Sequence, residues 1–78
     1  MNKTYVDVKN QILVETATRD CLKYFGEGTD VNVIVGYLTG TPKSVNCTRL
    51  SDRALKHVSK LDADFITRTV QGVIKKSV

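Results

Sequence analysis

The sequence is poor in the residues that support metal chemistry or a disulfide framework. Its 78 residues include two cysteines, Cys21 and Cys47, and a single histidine, His57. A structural zinc site takes four ligands, and a disulfide-stapled scaffold needs several cysteine pairs. We therefore expect no metal and two reduced thiols that serve as small hydrophobic groups. No cofactor is expected either, because Gly26 and Gly28 stand without the other residues of a phosphate-binding loop.

Long apolar runs are also missing. No stretch approaches the roughly 18 apolar residues of a membrane span. Residues 1–9 alternate between polar and apolar types, which is unlike the apolar run of a signal peptide. We therefore expect a cytoplasmic protein with no membrane contact.

Combinations of residues that would indicate catalysis are not found. His57 lies among lysines and arginines, which disfavour its holding a proton or a cation. Pairing it with Cys47 would still require an activated thiolate and an orienting third group, and nothing in the sequence points to either. Asp62 and Asp64 are two residues apart, so on a helix they point in nearly opposite directions. The sequence therefore predicts a protein that is not an enzyme.

The chain length limits the architecture. Seventy-eight residues suffice for one hydrophobic core, so residues 1–78 are expected to form a single domain. Small cores are often supplemented by association, which leaves a homodimer possible.

The first third predicts a strand followed by a helix. Residues 4–8 alternate, with Val6 and Val8 on one side, as in an edge strand. From Asn10, a possible N-cap, to Phe25 the apolar residues fall on one half of a helix, and Gly26 suits its C-terminal cap. The β-branched residues in this segment leave an alternative, in which residues 11–16 pair with the first strand as a hairpin.

The middle of the chain predicts a hairpin. Residues 31–38 are rich in valine and alternate, which indicates a central strand. Gly40 and Pro42 suit a tight turn within residues 39–44. The returning arm, residues 45–50, would direct Val45 and Cys47 to the core and Arg49 to the rim.

The last third predicts two helices. Ser51 can cap one that runs to about residue 61, and Asp62 or Asp64 can cap another. In the last helix, one face carries four apolar residues. They are Ile66, Val70, Val73 and Ile74. The predicted fold class is thus α+β, in the order β-α-β-β-α-α, with a small three-stranded antiparallel sheet, an amphipathic helix after the first strand and two C-terminal helices.

Charge is distributed unevenly along the chain. Residues 1–39 contain four Lys or Arg and five Asp or Glu, whereas residues 40–78 contain eight and three. In the helix that starts at Ser51, the residues Arg53, Lys56, His57 and Lys60 share one arc. Such a face can neutralise nucleic-acid phosphates. It also has a purely structural interpretation, because any surface helix needs a solvated face.

The favoured hypothesis is a small regulatory protein that binds RNA, DNA or a nucleoprotein through its basic C-terminal half, although the basic face carries no aromatic residue for base stacking. The expected contacts are Arg49, Arg53, Lys56, Lys60, Arg68 and Lys75. The alternative is a protein-binding inhibitor or adaptor of the kind found in phages and other mobile elements, which would act on a host protein through the hairpin or a sheet edge.

Overall fold

The computed structural model describes residues 5–40 and 46–77, and it places most of them in four helices. The helices are α1 (Tyr5–Phe25), α2 (Val31–Thr39), α3 (Asp52–Ser59) and α4 (Ala63–Ser77). The part of the chain that the structure describes contains no strand. The prediction of an α+β fold with a three-stranded sheet is therefore wrong, and the protein is all-helical over these residues.

Helix α1 includes residues 5–8 of the predicted first strand, whose residue 4 lies outside the described residues. Alternation over five residues is a weak signal, and no glycine or proline lies between Tyr5 and Phe25 to stop a helix from extending towards the N-terminus. Asn10 is therefore a residue of the helix interior and not its cap, and the alternative hairpin over residues 11–16 is wrong as well. The predicted C-terminal end is confirmed, because Gly26 adopts a φ of 111° that disfavours other residues.

Helix α2 replaces the predicted central strand. Its apolar residues also fit the helical period, and Ile34 and Leu38 are buried on one face. The Asp30 side chain caps the helix by accepting the Asn32 N–H at 2.8 Å. At the other end, a β-carbon on Gly40 would lie 2.8 Å from the Gly36 carbonyl oxygen, so the cap requires glycine. These end signals and the burial outweigh the β propensity of valine.

The predicted hairpin is wrong, because residues 31–38 are helical and the described part of its second arm is not a strand. Residues 41–44 of its turn, and Val45, lie outside the described residues. Residues 46–50 form an irregular loop that leads into α3. Cys47 is nevertheless buried, as its predicted inward position requires.

The two C-terminal helices are confirmed. The Ser51 side chain accepts the Ala54 N–H at 3.1 Å, and Asp62 accepts the Phe65 N–H at 3.0 Å. Both caps fill the role that the sequence predicted for them. Helix α3 ends at Ser59, two residues earlier than expected.

The core lies where the four helices of the described chain meet. Its fully buried large side chains include Val14, Ile34, Leu38, Val58, Ile66 and Val70. Helix α1 packs against the other three helices and α2 packs against both α3 and α4, whereas the backbones of α3 and α4 do not come close to each other. Helices α1 and α2 therefore hold α3 and α4 in the fold.

None of the helices within residues 5–40 and 46–77 combines the length and the apolarity that crossing a bilayer demands.

Candidate nucleic-acid interface

The outer side of α3 is a basic stripe. Leu55 and Val58 are buried and fix the inward face of this helix. The opposite face presents exposed residues at helical spacing. They are Arg53, Lys56, His57 and Lys60, here called the α3 stripe. Because α3 has eight residues and helices this short are marginal in isolation, burial of its apolar side is what holds the stripe in place.

The three cations of the α3 stripe are not neutralised by neighbouring carboxylates. The ion pairs among the described residues involve Arg19, Arg49 and Arg68. Arg53, Lys56 and Lys60 take part in none of them. Their charges are therefore available to an anionic partner, since a partner need not displace an internal carboxylate.

His57 ties the stripe to α1. Its Nε2–H donates to the Asn10 side-chain oxygen at 2.9 Å. Asn10 was predicted to be a helix cap, whereas in the structure it joins two helices. The contact gives the single histidine a positional role beside the three cations.

Arg49 lies on the same side of α1 as the α3 stripe, and we call this side the α3 flank. Its backbone N–H donates to Asp20 at 3.0 Å, and its guanidinium approaches the other oxygen of that carboxylate at 3.5 Å. Asp20 is 7% exposed, whereas the Arg49 side chain is 83% exposed. The buried carboxylate therefore anchors the loop backbone, and most of the arginine side chain stays in water, where an ion pair of this kind contributes little.

The flank continues into a small basic and aromatic patch. An open pocket of about 380 Å³ is lined by Lys23, Tyr24 and Arg49, together with Asp20 and Cys47. Tyr24 is 57% exposed, although the amphipathic pattern placed it on the apolar half of its helix. Its position two residues before the predicted cap Gly26 was the available signal, since the structure buries no residue of α1 beyond Leu22. An exposed ring beside cations is the arrangement that stacks on a nucleobase.

The patch and the α3 stripe lie along one side of α1. Arg49 contacts Asp20 near the C-terminal end of α1. His57 contacts Asn10, which lies about one and a half turns from the N-terminal end of the same helix. Residues 49–57 therefore run antiparallel to α1. Sequence reasoning placed Arg49 in the site but missed Lys23 and Tyr24, because they come from the distant first third of the chain.

Arg68 and Lys75, also predicted to bind nucleic acid, lie on α4 instead. Arg68 pairs with Asp64 at 3.1 Å. It also lines a groove of about 570 Å³ between α1 and α4, whose other wall carries Asp7 and Glu15. The backbones of α3 and α4 do not come close to each other within the described residues, and acidic groups lie near Arg68. We therefore do not include Arg68 and Lys75 in the α3 stripe.

A half-buried tyrosine, Tyr37, supports the loop that carries Arg49. The Tyr37 hydroxyl accepts the Cys47 N–H at 3.3 Å. Burial raises the pKa of Tyr37; the Cys47 N–H lowers it, and the Cys47 and Cys21 thiols raise it further. The phenol therefore stays neutral to a higher pH than an exposed tyrosine does.

Residues 5–40 and 46–76 contain no cluster of three potential metal ligands from histidine, cysteine, aspartate and glutamate. In comparisons with known proteins, no family model, curated protein or solved structure matches the chain.

Proposed function

We propose that this protein binds the phosphate backbone of RNA or DNA in the cytoplasm, as a non-enzymatic regulatory protein. The observation that supports the proposal is the α3 stripe, in which Arg53, Lys56 and Lys60 are exposed on one helical face and form no ion pair within residues 5–40 and 46–77. Arg49 and Lys23 extend the positive charge along the same flank.

The dimensions suit a short stretch of backbone. Arg53 and Lys60 are seven residues apart, which corresponds to about 10 Å along an α-helix. Cations over that distance can meet a few successive phosphates, and each neutralised phosphate releases bound counterions. Phosphate contacts position a protein without reading sequence. The expected binding is therefore salt-sensitive and of low sequence specificity.

The test is a fluorescence-anisotropy titration of labelled single-stranded RNA, single-stranded DNA and duplex DNA at several salt concentrations. We expect affinity to fall steeply between roughly 50 and 200 mM salt. The variant Arg53→Glu/Lys60→Glu should weaken binding at least about tenfold and reduce the salt slope by about 2, since each lost phosphate contact removes about one unit.

A matched control changes the net charge equally on the other flank. Lys75→Glu/Lys76→Glu alters two exposed cations of α4 and should retain most of the affinity. Circular dichroism confirms that each variant is folded. Equal losses in the two double variants would show that net charge alone drives binding, and an affinity that does not depend on salt would contradict the proposal.

The alternative of a protein-binding inhibitor or adaptor loses the features on which it depended. The described residues provide neither a sheet edge nor a hairpin. The exposed apolar side chains near the start of α1 include Tyr5, Val8 and Ile12, and these residues alone do not identify a protein partner. We therefore favour nucleic acid as the partner class.

A further inference from the structure

The two cysteines meet in the core. Cys21 Sγ and Cys47 Sγ are 3.2 Å apart, although the residues are separated by 26 positions in the chain. Cys21 is fully buried and Cys47 is 5% exposed. Each was expected to be a small hydrophobic group, but nothing in the sequence predicted their contact.

Two hydrogen bonds hold Cys47 against α1 and α2. Its own N–H donates to the Tyr37 hydroxyl, and two residues later the Arg49 N–H donates to Asp20. A disulfide has an S–S bond of about 2.05 Å, so the sulfurs must approach by roughly 1.2 Å for one to form. Residues 46–50 are an irregular loop, which can take up a shift of that size more easily than a packed helix.

Cys47 is also within reach of a small reagent. It lines the open pocket that Lys23 and Arg49 flank. Those two cations favour the approach of an anionic disulfide such as oxidised glutathione. Cys47, 5% exposed, lies at the wall of this pocket, whereas Cys21 is fully buried and can resolve the reaction.

We infer that Cys21 and Cys47 form a reversible disulfide modification site that locks the 46–50 loop to α1. In the first step, the Cys47 thiol loses its proton and attacks one sulfur of a low-molecular-weight disulfide, which releases one thiolate. In the second step, Cys21 loses its proton and attacks the Cys47 sulfur of the mixed disulfide, which releases the other thiolate. Two protein thiols are oxidised, the small disulfide is reduced to two thiols, and the two protons end on the released thiolates.

The inference does not depend on nucleic-acid binding, and it is tested on the wild-type chain. The folded protein is incubated with oxidised glutathione, then quenched with an alkylating agent, and its mass and peptide map are measured. We expect a monomer that has lost two hydrogen atoms and carries a Cys21–Cys47 linkage. Because the bridge closes a long loop, the melting temperature should rise by at least about 10 °C and return on reduction.

Cys21→Ala and Cys47→Ala serve as single-thiol controls, and neither should gain melting temperature from the oxidant. If either variant fails to fold, the comparison of reduced and oxidised wild-type protein still decides the matter. Thiols that stay reduced in the folded chain, a mixed disulfide that does not resolve, or a bridge between two chains would each overturn the inference. A bridge that appears only under denaturing conditions would do the same.

Discussion

The two flanks of α1 carry similar cations in different surroundings. On the α3 flank, Arg53, Lys56 and Lys60 are exposed and form no ion pair with the other described residues. On the α4 flank, Arg68 pairs with Asp64 and lines a groove opposite Asp7 and Glu15. Both flanks consist of a basic helix face beside the same central helix, but Arg68 is compensated by acidic neighbours, whereas the cations of the α3 stripe are in no such pair.

The difference shows that the neighbours of a cation decide whether it attracts a polyanion. Acidic residues of α1 fall mainly on the side that faces α4, as the residues lining the groove show. On the side of α1 that faces α3, Asn10 accepts a hydrogen bond from His57, and the buried Asp20 accepts one from the Arg49 backbone N–H. The charge count along the chain treats α3 and α4 as one basic half, whereas the packing of the helices gives their cations different neighbours.

The largest expected effect comes from removing the apolar anchor of each helix. Leu55→Ala in α3 and Ile66→Ala in α4 both delete buried side chains, and each should lower the free energy of unfolding by about 2–5 kcal/mol. Leu55→Ala should also reduce nucleic-acid affinity under conditions where the chain remains folded, because α3 depends on docking for its helical form. Urea denaturation followed by circular dichroism gives the stability, and anisotropy gives the affinity. If Ile66→Ala reduced affinity as much as Leu55→Ala, the two flanks would not be functionally distinct.

A smaller effect is expected from Tyr37→Phe, which removes the hydroxyl that accepts the Cys47 N–H on the α3 flank. At neutral pH the loss should be about 1 kcal/mol. Burial raises the pKa of Tyr37 in the folded protein, so as pH rises the phenol ionises first in the unfolded chain. Tyr37 therefore contributes to the free energy of unfolding below a pH of about 10, and this contribution is lost above that pH. Wild-type stability should therefore fall more steeply above that pH than the stability of Tyr37→Phe.

Urea denaturation at neutral and alkaline pH measures the difference, with Tyr24→Phe as the control because Tyr24 is exposed. The three proteins differ only at Tyr37 or Tyr24, so the comparison isolates the contribution of the Tyr37 phenol. Parallel loss of stability in wild type and Tyr37→Phe would show that Tyr37 does not contribute to the alkaline transition.

The smallest expected effect is on nucleic-acid affinity, when a single aspartate is neutralised on one flank or the other. Asp52→Asn and Asp64→Asn each neutralise an acidic residue in the first turn of a helix, so both lose a similar favourable interaction with the helix dipole. Asp52 adjoins the α3 stripe, and its replacement should strengthen nucleic-acid binding by about twofold at low salt. Asp64→Asn releases Arg68 on the other flank and should leave the affinity nearly unchanged. Anisotropy at low and high salt checks both, and stronger binding by Asp64→Asn alone would reverse the assignment of the interface.

Three helix ends were predicted from single residues, whereas α2 was missed although Asp30 and Gly40 mark its ends. Ser51, Asp62 and Gly26 mark helix ends by their own chemistry, and each does so in the structure. Residues 31–38 fit both a strand and a helix period, so local pattern could not decide between them. Residues 4–8 were too short a segment to identify, since a helix that is already formed extends through such a stretch at little cost.

The sequence by itself determined the helix ends marked by Gly26, Ser51 and Asp62, the inward position of Cys21 and the common face of Arg53, Lys56 and Lys60, because each follows from local chemistry or from spacing along one helix. Only the tertiary structure decided that residues 31–38 are helical, that the two sulfurs meet and that Lys23 and Tyr24 join Arg49. It also decided that Arg68 lies apart from the α3 stripe. The reason is that burial and charge pairing act between segments distant in the chain, and their energies exceed the local propensities from which a sequence pattern is read.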